Sequence, residues 1–401
     1  MAPKISQRGI NQPQSPMRRL EGAFLKAKEL RDRIYQLNIG QPDIETPKEY
    51  LDVIKNLNEK VIKYGPSAGL PEYRKTLADY YKSYGIEVDW EDIVVTTGGS
   101  EAIVFTFAVI TDPGDEIIIP EPFYANYNGF GNMASAKIVP VTSKPENGYA
   151  LPPIEEIEKK ITPKTKAIFI CNPGNPTGYA YTREEINALK EICKKHELFL
   201  VSDEVYREFV YEGKHNSILD EPGFEQYGII TDSLSKRFSL CGARLGCVVS
   251  KNKDFIAAIT RMGQARLCPP TIEQLAAINV HKLGEEYYSK IREEYKKRRD
   301  TVIKHICEMD GAFCKTPNGA FYMLVKLPIK DCVDFASFML TEYHLDNETV
   351  LVAPGNGFYA TEGLGNDEIR IAYILNTKDL DRAMVILKEG LKEYRKKRGL
   401  S

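Results

Sequence analysis

What this chain has little of narrows its class first. It carries almost no net charge: 54 Lys and Arg stand against 56 Asp and Glu, leaving −2. No strong field therefore steers it toward nucleic acid or an anionic membrane. The one basic stretch, Lys392 to Arg398, ends an amphipathic pattern and reads as a solvated helix end. No apolar run is long enough to cross a bilayer, and no apolar leader opens the sequence. The eight cysteines (Cys171, Cys193, Cys241, Cys247, Cys268, Cys307, Cys314 and Cys332) form no C-x-x-C pair, and several lie within apolar runs. Reduced, buried thiols of a cytoplasmic protein account for that distribution. The five histidines (His196, His215, His281, His305 and His344) lack ligand spacing, which argues against a metal site. Internal repeats and low-complexity tracts are also missing. What remains is a globular composition, 43% hydrophobic and 27% charged. A length of 401 residues suggests two to three domains.

Residues Met1 to Ser15 are polar and read as an arm or disordered tail. Leu20, Phe24, Ala27 and Leu30 then repeat at helical spacing. Seven short apolar segments follow as candidate strands: Ile93 to Val95, Glu116 to Ile119, Ile138 to Val141, Ala167 to Cys171, Leu198 to Ser202, Gly228 to Thr231 and Leu245 to Ser250. One helix between them is well marked, with Thr182 as N-cap, Glu185 at the capping-box position and Ile186, Leu189, Ile192 and Cys193 as its apolar face. Strand–helix alternation of this kind predicts an α/β fold with a mostly parallel sheet covered on both faces. Ile291, Tyr295, Val302 and Ile306 mark one extended helix. Beyond it, strands at Ala320 to Val325, Val350 to Ala353 and Glu368 to Ile374 mix with helices at Asp334 to Tyr343 and Leu380 to Leu391. The implied division is an arm (1–15), a large domain (46–290), and a smaller α+β domain built from 16–45 and 291–401.

Chemistry concentrates where strands end, which is where an open parallel sheet binds ligands. In Ser233-Leu234-Ser235-Lys236-Arg237-Phe238-Ser239-Leu240-Cys241-Gly242-Ala243-Arg244, Lys236 can form an imine with an aldehyde. Ser233, Ser235 and Arg244 can hold a phosphate. Pyridoxal 5′-phosphate carries both groups. Thr97-Gly98-Gly99-Ser100-Glu101 opens an apolar helix whose N-terminus favours an anion. Alone it is an ordinary strand-to-helix turn; with Arg244 it reads as a phosphate cup. Asn172-Pro173-Gly174-Asn175-Pro176-Thr177-Gly178 is either a rigid double turn or a device that fixes the Asn175 amide against a ligand. Asp203, at the end of a strand, can pair with a pyridinium nitrogen, and Tyr206 can return to the same ring. Asn175 and Tyr206 would then both donate to the ring oxygen. Tyr124 can stack on a flat heterocycle, but with 39 Phe and Tyr in the chain core packing is a rival reading.

Together these motifs, from Asn38-Ile39-Gly40-Gln41-Pro42-Asp43 to Ile369-Arg370-Ile371, resemble the class I/II aminotransferases of PLP fold type I, and in particular the aspartate aminotransferases. The resemblance implies a seven-stranded large domain and a cofactor bound as an imine on Lys236. Asp203 would keep the pyridine nitrogen protonated, while Asn175 and Tyr206 hold the phenolic oxygen. Ser233, Ser235, Arg244 and the Gly99-Ser100-Glu101 turn would hold the phosphate, with Tyr124 stacked on the ring. Arg370 would grip the substrate α-carboxylate with a backbone contact from Gly40. Tyr64 would reach the phosphate of a neighbouring subunit, which implies a homodimer with shared sites. The implied reaction moves an α-amino group from an L-amino acid to a 2-oxo acid, 2-oxoglutarate being the expected acceptor, by a ping-pong route. A lysine that reads the distal carboxylate in one branch of aspartate aminotransferases is replaced by Ser100, and a threonine of that branch by Met17, so that route to aspartate specificity is not implied. The same fold supports β-eliminating C–S lyases. It also supports PLP-sensing regulators, which carry a DNA-binding domain ahead of the fold, for which this N-terminus is too short.

Overall fold

In the computed structural model, residues 3–14 and 16–400 are described, except for the Met17 side chain. The expected role of Met17 therefore lies outside the described residues. A first strand, β1 (Arg33–Gln36), precedes the main sheet. That sheet consists of β2 (Ile93–Thr96), β3 (Glu116–Glu121), β4 (Lys137–Thr142), β5 (Thr165–Cys171), β6 (Phe199–Asp203), β7 (Gly228–Ser233) and β8 (Gly246–Val249). Their order across the sheet is β2-β8-β7-β6-β5-β3-β4. β3 to β7 run parallel, and only β8 opposes its neighbours. The seven-stranded, mostly parallel sheet is the one the sequence predicts.

The strands read as unbroken apolar runs because both faces are covered. Ile118, Ile168, Ile170, Leu200 and Ile230 enter one buried cluster. Their neighbours Ile117, Ile119, Phe169, Val201 and Ile229 enter the other. A period of two along a doubly covered strand sends alternate side chains into different cores, so no polar face is needed. The helix Arg183–Lys195 starts as expected. Thr182 Oγ1 accepts the Glu185 amide at 3.2 Å, and Glu185 returns a carboxylate to the Thr182 amide at 2.8 Å.

Two smaller sheets complete the fold. β9 (Tyr322–Lys326), β11 (Ala353–Pro354) and β12 (Glu368–Ala372) form an antiparallel sheet ordered β11-β12-β9, while β10 (Glu348–Leu351) pairs in parallel with β1. β1 is not apparent in the sequence, because Arg33-Ile34-Tyr35-Gln36 is too short and too polar to declare itself. Its partner lies more than 300 residues away (Tyr35↔Val350). The helix Gly284–Cys307, of 24 residues, runs about 36 Å between the two regions. Among the described residues no helix is long and apolar enough to cross a membrane.

The N-terminal segment is an arm with a fixed seat rather than a disordered tail. Ser6 caps a short helix, Gln7–Ile10. Asn132, on the helix Asn126–Ala134, donates to the Arg8 carbonyl at 3.0 Å and to Gln12 Oε1 at 2.6 Å. Polar composition suggested disorder because the partners of these amides lie more than 100 residues away.

Candidate active site

The parallel strands end in register, Cys171 opposite Asp203 and Asp203 opposite Thr231. Their following loops therefore open on one cavity, of about 410 Å³. All but two of the residues singled out from sequence line it: Gly40, Gly99, Ser100, Tyr124, Asn175, Asp203, Tyr206, Ser233, Ser235, Lys236, Arg244 and Arg370.

One wall suits an anion. The helix Gly98–Ile110 begins against Ser233 and Arg244. A Cβ at Gly98, where φ is +75°, would stand 2.5 Å from Arg244 Nη2, so only glycine admits the guanidinium there. Arg244 itself sits at φ +52°, a conformation that costs a non-glycine residue about 1–2 kcal/mol. Such a cost persists where surrounding structure imposes it, commonly at functional sites. Ser233 Oγ and Ser235 Oγ are 2.7 Å apart beside this helix start. Glu101 is an exception to the expected set. Its carboxylate turns back to the Thr97 amide at 2.8 Å and toward Arg266 at 3.6 Å, and it does not line the cavity. A carboxylate aimed at a phosphate would repel it, so Glu101 could serve an anion here through its backbone alone, while Gly99 and Ser100 line the cavity.

The opposite wall suits a nitrogen heterocycle. Asp203 is buried and accepts the Tyr127 hydroxyl at 2.8 Å. Burial pushes its carboxyl up to about 6, against the lowering effects of the Tyr127 hydrogen bond and the Lys236 charge. Lys236 Nζ donates to the Gly40 carbonyl at 2.8 Å and lies 3.8 Å from Cys241 Sγ. Tyr124 is half-buried, and its hydroxyl accepts the Asn126 amide at 2.7 Å. Burial raises Tyr124 to about 12, so it stays a neutral phenol. These groups fit pyridoxal phosphate on their own chemistry: a primary amine for the aldehyde, a buried carboxylate for a cationic ring nitrogen, and a cationic glycine-rich cup for the phosphate.

The third element is Arg370 on β12. It is buried, and no carboxylate among the described residues pairs with it. Nη1 donates to Asn175 Oδ1 at 2.9 Å and Nη2 to the Asn38 carbonyl at 2.5 Å, while Nε has no partner. Burial lowers its proton affinity, though a guanidinium remains charged. A buried cation held only by neutral acceptors is unfavourable until an anion arrives. Asn175 Oδ1 is thus already engaged, leaving its amide NH₂ as the donor toward a ligand.

Two site residues escaped the sequence reading. Tyr322 lines the cavity, and its hydroxyl meets the Tyr206 hydroxyl at 2.9 Å. A Cβ on Gly40 would overlap Tyr322, at 1.7 Å from its hydroxyl oxygen, so glycine at 40 is a packing requirement as well as a backbone contact. The only sequence signal for Tyr322 was its place in an expected strand; the register that puts Leu324 opposite Arg370 brings it to the site. Tyr127 lies one helical turn beyond Tyr124, a weak signal that gave no hint of Asp203. Tyr64, expected to serve a neighbouring subunit's site, is the other residue outside this cavity. It is 81% exposed and lines a separate cavity of about 540 Å³ with Lys63, Cys268 and Pro270.

Comparison with known proteins agrees with this geometry. The family model for aminotransferase class I and II matches residues 32–387. The aspartate aminotransferase of Bacillus subtilis is 34% identical over 384 residues, covering 92% of this chain and 95% of that protein. The structure of an alanine aminotransferase from Pyrococcus furiosus superposes with a TM-score of 0.89 at 31% identity, covering 97% of this chain and all of that one. An aromatic aminotransferase from Pyrococcus horikoshii gives a TM-score of 0.83 at 31% identity, covering 94% of this chain and all of that one. These relatives are named as aminotransferases, which does not favour the eliminating-lyase alternative. A lysine and a buried aspartate facing one cavity, beside a cationic cup and an unpaired arginine, are what such enzymes require, and this chain belongs to the class I and II aminotransferases as a pyridoxal-phosphate-dependent enzyme.

Proposed function

We propose that the chain transfers the α-amino group of an L-amino acid to 2-oxoglutarate in two half-reactions at the cavity described above, with Lys236 as the cofactor-bearing lysine. When bound, pyridoxal phosphate supplies an aldehyde for amines and a ring that withdraws electrons from the donor's α-carbon. Lys236 Nζ would hold the aldehyde and, when free, would take the donor's α-proton. Positioned proton transfer of this kind contributes ~10² to 10⁴-fold. Asp203 holds the proton on the ring nitrogen, and Tyr127 orients that carboxylate. Asn175 and Tyr206 would donate to the ring oxygen, Tyr124 would stack on the ring, and Ser233, Ser235, Arg244 and the Gly99 to Glu101 turn would take the phosphate. The single observation that carries the reading is that the Lys236 amine, the Asp203 carboxylate and an Arg370 without an anion line one cavity. An amino-donor screen with 2-oxoglutarate, followed by single-turnover absorbance, tests it. Formation of glutamate is expected, and no transamination from any donor would refute the proposal.

Arg370 recognises the α-carboxylate common to every donor and acceptor, because its planar fork bonds both oxygens. Arg370→Ala should lower kcat/KM by about 10² to 10³-fold, the usual cost of truncating one member of a desolvated charge pair. The loss should be shared by amino-acid and 2-oxo-acid substrates. An unchanged KM for both would assign the carboxylate to another group.

The active unit we propose is a homodimer. Tyr64 shares its cavity with exposed Ile62, 53% accessible, and exposed Val61 and Leu267, 64% and 51% accessible, adjoin the cavity's Ile62 and Cys268 in sequence. Apolar exposure of this kind is usual for a surface that another chain covers. Tyr64→Phe should weaken cofactor affinity about tenfold, the worth of one hydrogen bond to a charged group. Undiminished activity per chain in a demonstrated monomer would contradict the shared site. The division into a large domain (46–290) and a small one (16–45 with 291–401) is part of this reading, supported by their separate sheets. A cytoplasmic location is supported by the free state of all eight thiols.

A further inference from the structure

Four residues of the site are each flanked in sequence by a buried charge. Glu204 follows Asp203, Arg207 follows Tyr206, Asp232 precedes Ser233 and Arg237 follows Lys236. All four charges are at most 2% exposed, and none lines the cavity. They form two ion pairs, Arg207 with Glu204 at 2.5 Å and Arg237 with Asp232. Apolar residues of similar volume often replace buried ion pairs without loss of stability, so stability alone does not account for this arrangement.

The second pair spans the turn that carries the Lys236 amine. Asp232 Oδ1 accepts the Ser233 amide at 2.6 Å, and Oδ2 accepts both Arg237 and the Tyr81 hydroxyl, the latter at 2.9 Å. Arg237 Nη2 also reaches the Ser233 carbonyl at 3.5 Å. Ser233 is thereby bound through its amide, its carbonyl and, at Oγ, the Ser235 hydroxyl. Arg237 lies over the Tyr80 ring, 4.6 Å from its centroid, and its Nε and Nη1 have no acceptor among the described residues. The guanidinium is packed from behind and directed at one carboxylate.

We propose that the Asp232–Arg237 ion pair is a positioning device for Lys236, clasping the turn from residue 232 to residue 237 so that the amine faces Asp203 and the two serines face the phosphate. This rests on the reading of Lys236 as the cofactor lysine. The amine shares its cavity with Asp203, Tyr124, Tyr322, Cys241, Arg244 and Arg370. None of these is altered in the variants below, so differences between variants report the clasp. Asp232 acts at range on this site, since its charge raises the proton affinity of Asp203.

The test uses the holoenzyme of Arg237→Met, Arg237→Lys and the double variant Asp232→Asn/Arg237→Met. Its readouts are the pH midpoint of the visible cofactor band, the pyridoxal phosphate Kd by titration of the stripped protein, kcat and KM, and thermal melting. In Arg237→Met the uncompensated Asp232 carboxylate should raise the midpoint by about one pH unit, with kcat down roughly 10- to 100-fold and donor KM within about threefold. Arg237→Lys should restore the midpoint. The double variant should recover wild-type melting and midpoint yet keep a cofactor Kd raised about tenfold, because the charges are balanced but the clasp is gone. If Arg237→Met does not fold, the double variant carries the test through Kd and kcat. A folded Arg237→Met protein with unaltered midpoint, Kd and kcat would overturn the proposal, as would full recovery of Kd and kcat in the double variant. Borohydride labelling of the unaltered holoenzyme at a side chain other than Lys236 would instead overturn the cofactor-lysine reading.

Discussion

Lys236→Ala protein, mixed with pyridoxal phosphate and a donor amino acid, should release 2-oxo acid at a rate at least ~10⁴-fold below that of the unaltered enzyme. The variant loses two functions of one atom. In the proposed mechanism the amine would be the covalent anchor and, when free, the base that takes the donor's α-proton. Among the described residues no other primary amine lines the cavity to take over. The other nitrogen bases there are the guanidinium groups of Arg244 and Arg370, which do not give up a proton in proteins. Borohydride reduction supplies an independent readout: the cofactor should become fixed to the peptide containing Lys236 in the unaltered protein and wash out of the variant. A Lys236→Ala protein that kept the cofactor covalently bound after reduction and denaturation, and still produced 2-oxo acid, would remove the basis of the mechanism.

Replacing Asp203 with asparagine should act in opposite directions on catalysis and on the stability of the cofactor-free protein. Catalysis suffers because a neutral amide cannot balance a cationic ring nitrogen. Removing one partner of such a buried pair costs ~3–5 kcal/mol, or about 10² to 10⁴-fold in turnover. Stability of the stripped protein should rise at neutral pH. Burial lifts the Asp203 carboxyl from 3.8 to about 6 in the folded state. Between those values the folded protein holds a proton that the unfolded chain has released. The stabilisation from that proton is complete below pH 4 and is lost as pH rises through 6, a change on the order of 3 kcal/mol. Asparagine has no charge to bury and escapes the loss. Denaturant unfolding of both cofactor-free proteins at pH 4 and pH 8 separates the effects: the variant should gain on the wild type only at the higher pH. Glu204, which burial lifts to about 7, titrates in both proteins and cancels in the comparison. Equal stability of the two at pH 8 would mean that Asp203 is solvated or already paired when the cofactor is absent.

Much of this was legible in the sequence because it is local. Strand and helix identities follow from apolar periods within ten residues, and the Thr182–Glu185 box needs only four. Ser233, Ser235 and Lys236 lie on one turn, and Asp203 and Asn175 each end or follow a strand whose direction is set by the crossover helices. Parallel strands of similar length then align those ends without further information.

What the chain could not announce is every feature whose partner is distant along it. β1 becomes a strand by pairing with residues 348–351, and the arm takes its seat from Asn132. Tyr322 becomes a site residue because antiparallel pairing carries it beside Arg370, and Arg370 meets Asn175 across 195 positions. Glu101 faces away from the cup on the local Thr97 amide, and the approach of Arg266, far downstream, adds a partner that the sequence does not show. Local propensity acts through a few neighbouring dihedrals and is written into short windows. Side-chain direction and burial depend on which distant surfaces the sheets bring together, and for this enzyme only the tertiary structure decided that.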